Sequence, residues 1–371
     1  MTTIQLDTFR KLPFGGVPPR QMAQQLAEKG PATAASDLAA ARAALRPAGA
    51  TFPAGSAVLM LGGSGGILRA LAIQLLFGEG VPVYAVHYDS EKLQIGPHHA
   101  RALMAAAAGA GVTCHYVNAD ATKADTIGPM IERIKADGHR CVHLINGIAA
   151  GATKRFPEHG TAKVRDLDIA FDEVRQIPDF SDWSSLRKFG LVDVDISTDA
   201  DNERTYKFMG HSTDPWAAAL HAAGLLVPGE SVVAFADYDY EPDDPVYALG
   251  PLARAKVLQR ESMARIAGQT GARTIRLCYP AMNTTAISAI PGGALMFAGT
   301  AQVLLEQDAY QSIPTLARAT LPVFDPAFTS PELRVDTDFQ RVLPEFHRRK
   351  VLMHDGNLRE HFSRVIGHPG L

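Results

Sequence analysis

The run at residues 57–80, AVLMLGGSGGILRALAIQLLFGEG, limits the possible folds more than any other stretch. An unbroken apolar segment enters Gly62-Gly63-Ser64-Gly65-Gly66, and helical periodicity follows as far as Gly80. Strand, glycine turn and helix form the opening unit of a dinucleotide-binding fold. Small residues let the backbone bend sharply and let N–H groups at the helix start approach a pyrophosphate. The same run also suits a tight turn that binds nothing, so the residues beyond it must decide.

Those residues repeat the alternation. VPVYAVHYD reads as a strand, HHARALMAAAAGAG as a helix, VTCHYVNADA as a strand, TIGPMIERIKADG as a helix and CVHLINGIAAG as a strand. The connections are short, and the strand-like runs are continuously apolar, as strands covered on both faces should be. The expectation is an α/β fold, a Rossmann-type doubly wound parallel sheet. Residues 57–320 form this domain. Residues 1–56 are a helical lead-in, with one helix stopping at Gly30-Pro31 and a second N-capped by Ser36. Residues 151–213 are polar, contain Trp183 and lack clean periodicity, so they read as an insertion that helps to cover the active site. A helix at 214–226, a strand at 231–237, a helix at 252–268 and a strand at 272–280 follow. A helical region at 283–307 breaks near residues 291–293, and residues 321–371 form an extension packed on the same domain.

Composition narrows the partners. A net charge of −3 with no Lys/Arg cluster argues against nucleic acid. No apolar stretch reaches about 18 residues, which excludes a helical membrane span. Cys114, Cys141 and Cys278 fall in or beside apolar runs without metal-ligand spacing and read as buried thiols. The histidines form no metal set; only His87, beside the second strand, lies near a candidate site. The first residues lack the apolar core of a signal peptide, and with the free thiols this points to the cytoplasm.

Two residues stand out chemically. Tyr247 follows the strand at 231–237, and Lys256 lies early on the next helix. The carboxyl ends of parallel strands are where such sheets bind ligands. A phenol there can donate a proton or hydrogen-bond a developing oxyanion. A nearby ammonium can lower the phenol pKa and hold a ribose hydroxyl. Asp89 ends the second strand, where a carboxylate can accept from both adenosine ribose hydroxyls and repel a 2′-phosphate, favouring NAD(H) over NADP(H). The alternative is a solvated loop carboxylate. Asp120 either meets an adenine amino group, with small Ala121 admitting the ring, or serves as a loop or N-cap residue. Gly147-Ile148-Ala149-Ala150 would let a nicotinamide ribose lie against the backbone, or it is a simple small-residue loop.

Taken together, EKGP near Lys29, the glycine turn, NADA at 118–121, FMG at 208–210 and the run WAAALHAAGLLVPGESVVAF resemble one family. So do Tyr247-x8-Lys256, TTAISAIP at 284–291, LRVD at 333–336 and LREHF near the end. The family is that of the trans-2-enoyl-CoA reductases and FabV-type enoyl-ACP reductases, enlarged short-chain dehydrogenase/reductase-like enzymes. The resemblance covers nearly the whole chain, and the eight-residue Tyr–Lys spacing is its specific element. It implies a substrate lid built from the insertion and the C-terminal helices. It also implies NADH as hydride donor to the β-carbon of an enoyl thioester carried on CoA or acyl carrier protein, in a monomer or homodimer. Tyr247 would stabilise or protonate the enolate and Lys256 would fix the nicotinamide ribose. Gly62, Gly63, Ser64, Gly66, Ile67, Asp89, Asp120, Ala121, Ile148, Ala149 and Thr284 would line the cofactor.

The sequence departs from the family at two places. A second tyrosine is expected ten residues before Tyr247, where this chain has Asp237; adjacent Tyr238, or Tyr240, takes over that role after a local shift, or the carboxylate signals other chemistry. Leu68 replaces the last glycine of the turn and Ile67 an aromatic, which threatens to crowd helix against strand. These departures keep open a carbonyl reductase using NAD(P)H on the same scaffold, or a catalytically inactive cofactor-binding homologue.

Overall fold

A computed structural model describes residues 4–11, 16–47, 49–240, 244–335, 338–369 and 371. Residues 241–243 of the tyrosine–lysine segment and Asp336 of the LRVD run lie outside this description.

Apolar runs become strands where the pattern predicts. The strands are β1 (Ser56–Leu61), β2 (Val83–His87), β3 (Cys114–Asn118), β4 (Cys141–Asn146), β5 (Ala162–Ile169), β6 (Phe171–Asp172), β7 (Ile177–Pro178), β8 (Leu186–Val194), β9 (Val232–Asp237), β10 (Arg273–Cys278) and β11 (Glu332–Arg334). Seven of them form one sheet in the order β11-β10-β9-β4-β1-β2-β3, with every pair parallel. Strand order reverses beside β1, so the connections leaving the carboxyl ends of β1 and β4 run to opposite sides and leave the crevice where such sheets bind ligands.

Both faces of the sheet are covered. Val58, Met60, Val83, Ala85, Val232 and Ala234 pack with the helices Gly66–Gln74, Gly96–Gly109 and Ile313–Thr320. The alternate residues Leu59, Leu61, Tyr84, Val86, Leu144 and Phe235 pack with Ala124–Ala136, Thr213–Ala222 and Pro251–Thr270. Period-two alternation sends neighbouring side chains to opposite faces, so double coverage requires the continuous apolar runs seen in the sequence.

The lead-in differs from expectation. In place of two helices, Pro19–Ala43 is one helix with Pro31 inside it. Gly30 precedes that proline and has no Cβ to clash with its ring. It also packs where a side chain would press on His98, 3.0 Å from a Cβ placed there. Burial of Met22, Leu26, Ala34 and Leu38 along one face holds the helix across the break.

Residues 151–213 are more regular than their polarity suggests. β5 and β8 pair antiparallel over their length, and β6 and β7 close a small hairpin. Phe180, Phe189, Leu167 and Ile169 bury against the helix Gly293–Glu306 and the C-terminal Phe339, Phe346 and Phe362. Insertion and C-terminal extension therefore share one core. The helical region at 283–307 splits into Thr285–Ala289 and Gly293–Glu306, and the tail contains a helix, Asp338–Lys350, with mixed charge on its outer face. Buried Asp166 accepts from the N–H groups of Gly292 (2.9 Å) and Leu295 (3.2 Å) and pairs with Lys11 at 2.8 Å. A carboxylate at a helix start satisfies orphan donors and the positive end of the dipole, which fixes the break.

Candidate active site

The glycine turn leaves β1 with Gly62 at φ 100° and Gly63 at φ 97°. Both lie in the left-handed region that side chains resist, so the sharp exit needs glycine. Gly62 donates to Val86 O at 2.7 Å and Gly147 donates to Leu61 O at 2.9 Å, which ties the turn to the ends of β2 and β4. The helix Gly66–Gln74 starts without a side-chain cap, so its first N–H groups are left for another acceptor.

Leu68 does not crowd this arrangement. It is buried in the core, and its Cδ1 occupies the space 2.5 Å from where a Cβ on Gly147 would stand. The helix lies close to β4 because Gly147, not residue 68, is the small partner. Thr284 closes the other side, with its Cγ2 3.4 Å from a Cβ placed on Gly66. Segments predicted separately, 62–66, 147–149 and 284, thus meet at one crevice.

At its far end Asp89 points inward. His87 Nδ1 lies 2.8 Å from Asp89 Oδ2, and a side chain at Gly96 would strike this carboxylate. Burial pushes the Asp89 pKa up, but hydrogen bonds from His87 and Ser64 outweigh it and hold the group ionised below its ordinary range. Asp120 Oδ1 accepts from Thr122 N (2.8 Å) and Thr122 Oγ1 (2.6 Å), the bonding of a loop-closing aspartate. Ala121 is buried, and its carbonyl accepts from Trp216 Nε1 at 2.7 Å. Asn146, which the sequence reading did not single out, donates to Ser212 and Thr213 and accepts from Ile148 N at 3.0 Å. A buried Asn at a strand end followed by small residues is the signal that marks it. Ile148 is half-buried and Ala149 exposed at the crevice. Uncapped donors, glycine backbone and an ionised carboxylate at the far end suit a dinucleotide of extended shape.

Tyr247 lies in a turn after β9. Asp244 Oδ1 accepts from Val246 N at 2.9 Å and Tyr247 N at 2.6 Å, which fixes the backbone there. Its ring meets Tyr238 edge to face at 4.4 Å between centroids and stacks on Tyr240 at 5.9 Å. Burial pushes the Tyr247 phenol well above its usual pKa, so it keeps its proton through the neutral range. Gly250 starts the following helix close against the Lys154 carbonyl, and Phe156 N donates to Leu249 O at 2.9 Å.

Asp237 has a different setting from Tyr238. Its side chain is 0 % exposed, so it offers no face to a substrate. Arg276 Nε donates to its Oδ2 at 2.7 Å. Lys256 Nζ lies 3.3 Å from Oδ1, close enough for an ion pair although not aligned as a hydrogen bond. Lys256 donates to Ala236 O at 2.9 Å and is itself buried. Arg276 also reaches Asp239 and Glu332, each at 2.8 Å, and Arg334 pairs with the same two carboxylates. Burial alone would lower the Arg276 pKa; the carboxylates raise it instead. The expectation of Asp237 as a group acting on substrate is thus replaced by a charge anchor beneath Lys256, because three cations, Lys256, Arg276 and Arg260 (3.7 Å), enclose it. Among the described residues there is no cluster of three or more His, Cys, Asp or Glu able to hold a metal, and no helix is long and apolar enough to cross a membrane.

Removing one member of a buried ion pair leaves its partner uncompensated. Asp237→Ala is therefore expected to destabilise the protein by about 3–5 kcal/mol, measured by denaturant unfolding. A loss under about 1 kcal/mol would show that the anchor is not buried charge held by charge.

A sequence profile described as "Trans-2-enoyl-CoA reductase catalytic region" matches residues 94–318, more than half of the chain. An enoyl-[acyl-carrier-protein] reductase [NADH] of Pseudomonas putida (strain W619) is 26% identical over 262 residues, covering 68% of this chain and 64% of that protein. One from Xanthomonas campestris pv. campestris (strain 8004) is 27% identical over 221 residues, covering 58% and 54%. The matches to these two relatives thus span less than two thirds of their length. The fold is also that of trans-2-enoyl-CoA reductase from Clostridium acetobutulicum, solved in complex with NADH. Its TM-score is 0.72 at 16% identity, over 99% of this chain and 95% of that one. With the profile lying across the tyrosine–lysine segment, the chain belongs to the trans-2-enoyl-CoA reductase family.

Proposed function

We propose that this protein reduces the C2–C3 double bond of a trans-2-enoyl thioester with NADH. The observation that carries the reading is the position of Tyr247 inside the matched catalytic region, backed by Tyr238 and close in sequence to the buried Lys256–Asp237 pair. The relatives' names give the substrate class, an acyl thioester on carrier protein, and the redox partner, NADH. CoA is the alternative carrier, and a monomer or homodimer in the cytoplasm is the setting we infer.

NADH, when bound, supplies a hydride to the β-carbon of the substrate. The residues that would hold it are Gly62, Gly63, Ser64, Gly66 and Ile67 at the diphosphate and Asp89 at the adenosine ribose. Asp120 and Ala121 would lie near the adenine, and Ile148, Ala149 and Thr284 toward the nicotinamide. Tyr247 acts on the thioester oxygen, where negative charge develops as the β-carbon accepts hydride. A hydrogen-bond donor aimed at that oxygen stabilises the transition state more than the ground state. A phenol that holds its proton tightly suits donation of a hydrogen bond to the enolate oxygen better than full transfer, and the proton that completes reduction at C2 then comes from solvent. Tyr238 braces the Tyr247 ring, which is the role that the family's second tyrosine leaves open here. The Lys256 ammonium, 5.9 Å from the Tyr238 ring centroid, adds positive potential beneath the pair. This ammonium has three donors and gives one to the Ala236 carbonyl and one, at 3.4 Å, to Gln259, which leaves one for a ribose hydroxyl.

Tyr247→Phe is expected to leave NADH binding intact and to slow reduction of crotonyl-CoA by about 10²–10³-fold, read from steady-state NADH oxidation. Full activity in that variant would remove Tyr247 from the mechanism. A ketoacyl thioester assayed alongside separates the carbonyl-reductase reading: turnover of the ketone with none of the enoyl substrate would replace the present assignment. Asp89→Ala is expected to weaken NADH binding and to narrow the preference over NADPH, measured as the ratio of dissociation constants. An unchanged ratio would assign that selection elsewhere.

A further inference from the structure

His99 lies behind the glycine turn and belongs to none of the groups named above. It is 8% exposed, on the helix Gly96–Gly109. Its Nδ1 stands 3.1 Å from the Ser64 carbonyl oxygen, and its Nε2 stands 3.5 Å from Asp37 Oδ2, within ion-pair reach but not aligned as a hydrogen bond. A carbonyl only accepts, so Nδ1 must carry its hydrogen; the carboxylate on the other side also only accepts. Asp37 comes from the long lead-in helix and is gripped by Arg175, with Nη2 at 3.0 Å and Nε at 3.2 Å. Arg175 lies in the turn between β6 and β7, and its neighbour Gln176 donates to the Leu93 carbonyl in the loop after Asp89. Three segments far apart in sequence therefore converge on the back of one turn.

The consequence for the turn follows from peptide geometry. In a planar trans peptide the C=O and the next N–H point in opposite directions. A bond that draws the Ser64 carbonyl toward His99 turns the Gly65 N–H the other way. The turn is also uncrowded at Gly65, where a Cβ would meet nothing within 4 Å. We propose that His99, held by Asp37, is a positioning residue for the cofactor: it sets the Ser64–Gly65 peptide so that the Gly65 N–H faces the dinucleotide diphosphate. The inference rests on the nicotinamide cofactor assigned under the proposed function.

The charged groups around the ring give the device a pH dependence. Asp37 faces it from the lead-in helix and Arg69 from the helix after the turn. Asp89, itself paired with His87, acts from the end of β2, and His98 from the same helix. Arg175 acts through Asp37. Burial holds His99 below its ordinary pKa, with Asp37 working against that. The imidazolium hydrogen-bonds the Ser64 carbonyl and attracts Asp37 by charge, whereas the neutral ring turns a lone pair toward Asp37. Cofactor binding is then tightest at the acid end and weakens as pH rises through the His99 titration.

The test is fluorescence titration of NADH against the full chain, with circular dichroism to verify folding. His99→Ala is expected to raise the dissociation constant about tenfold or more. His99→Asn, whose amide nitrogen replaces Nδ1, is expected to recover most of that loss, leave kcat at saturating NADH unchanged and flatten the pH dependence of binding. Asp37→Asn is expected to weaken binding several-fold, and with His99→Asn it decides the matter should His99→Ala not fold. A folded His99→Ala that binds like wild type, an Asn variant no better than Ala, or a pH dependence unaltered by His99→Asn would overturn the proposal while leaving the cofactor assignment standing. Wild-type protein that binds neither NADH nor NADPH would overturn both.

Discussion

The arrangement at the carboxyl edge of the sheet depends on how closely the helix after β1 lies against the end of β4. Leu68 and Gly147 settle that distance between them: one supplies the bulk and the other gives up its side chain. Helix packing in this position needs one small partner, and the chain has moved it from the turn to the strand end. With the helix seated, Gly62 and Gly63 turn the chain away from β1, Thr284 closes on Gly66, and the uncapped N–H groups look into the crevice. A bulky residue at both 68 and 147 would push the helix off the sheet and take the turn with it.

A second constraint is electrostatic. Asp237, Lys256 and Arg276 are buried, or nearly so, where single charges are costly, and they are tolerated because each faces an opposite charge. The anchor extends through Asp239, Arg334 and Glu332 to the edge strand β11. It ties β9, β10 and β11 together directly beneath the tyrosines. Carboxylate and phenol occupy adjacent positions but divide the work: Asp237 faces inward to the cations and Tyr238 turns to Tyr247. Alternation along β9 and its exit accounts for this split, since neighbouring side chains leave a strand in opposite directions.

Much of the fold was legible because its signals are local. Continuous apolar runs bounded by glycine and short helices identify doubly covered parallel strands without any knowledge of partners. The glycine turn, Asp89, Gly147 and Thr284 were legible as candidates for the same reason. Other features depend on contacts between distant residues. Gly30-Pro31 carries every sign of a helix stop, yet packing of Leu26, Ala34 and Leu38 carries Pro19–Ala43 through it. β5 and β8 find one another across the β6–β7 hairpin; β5 alternates only in two four-residue pieces that slip phase at Arg165-Asp166, and β8 does not alternate cleanly, so neither stands out as a strand. His99 reads as one of two adjacent helix-start histidines; only its approach to Ser64 and Asp37 sets it apart from His98. Asp237 read as a change of chemistry because its cations, two on the next helix and one on the next strand, were not adjacent in the chain.

The central claim is that hydride from the cofactor reaches the β-carbon of an enoyl thioester while Tyr247 attends to the thioester oxygen. Reduction of crotonyl-CoA with NADH deuterated at the transferring position, followed by mass spectrometry and NMR of the product, tests it most directly. Butyryl-CoA carrying one deuterium, located at C3, is expected. Butyryl-CoA with that deuterium at C2, or a product without it, would contradict the direction of transfer. Deuterium found only at a carbinol carbon, from a ketoacyl substrate offered in the same mixture, would contradict the assigned reaction.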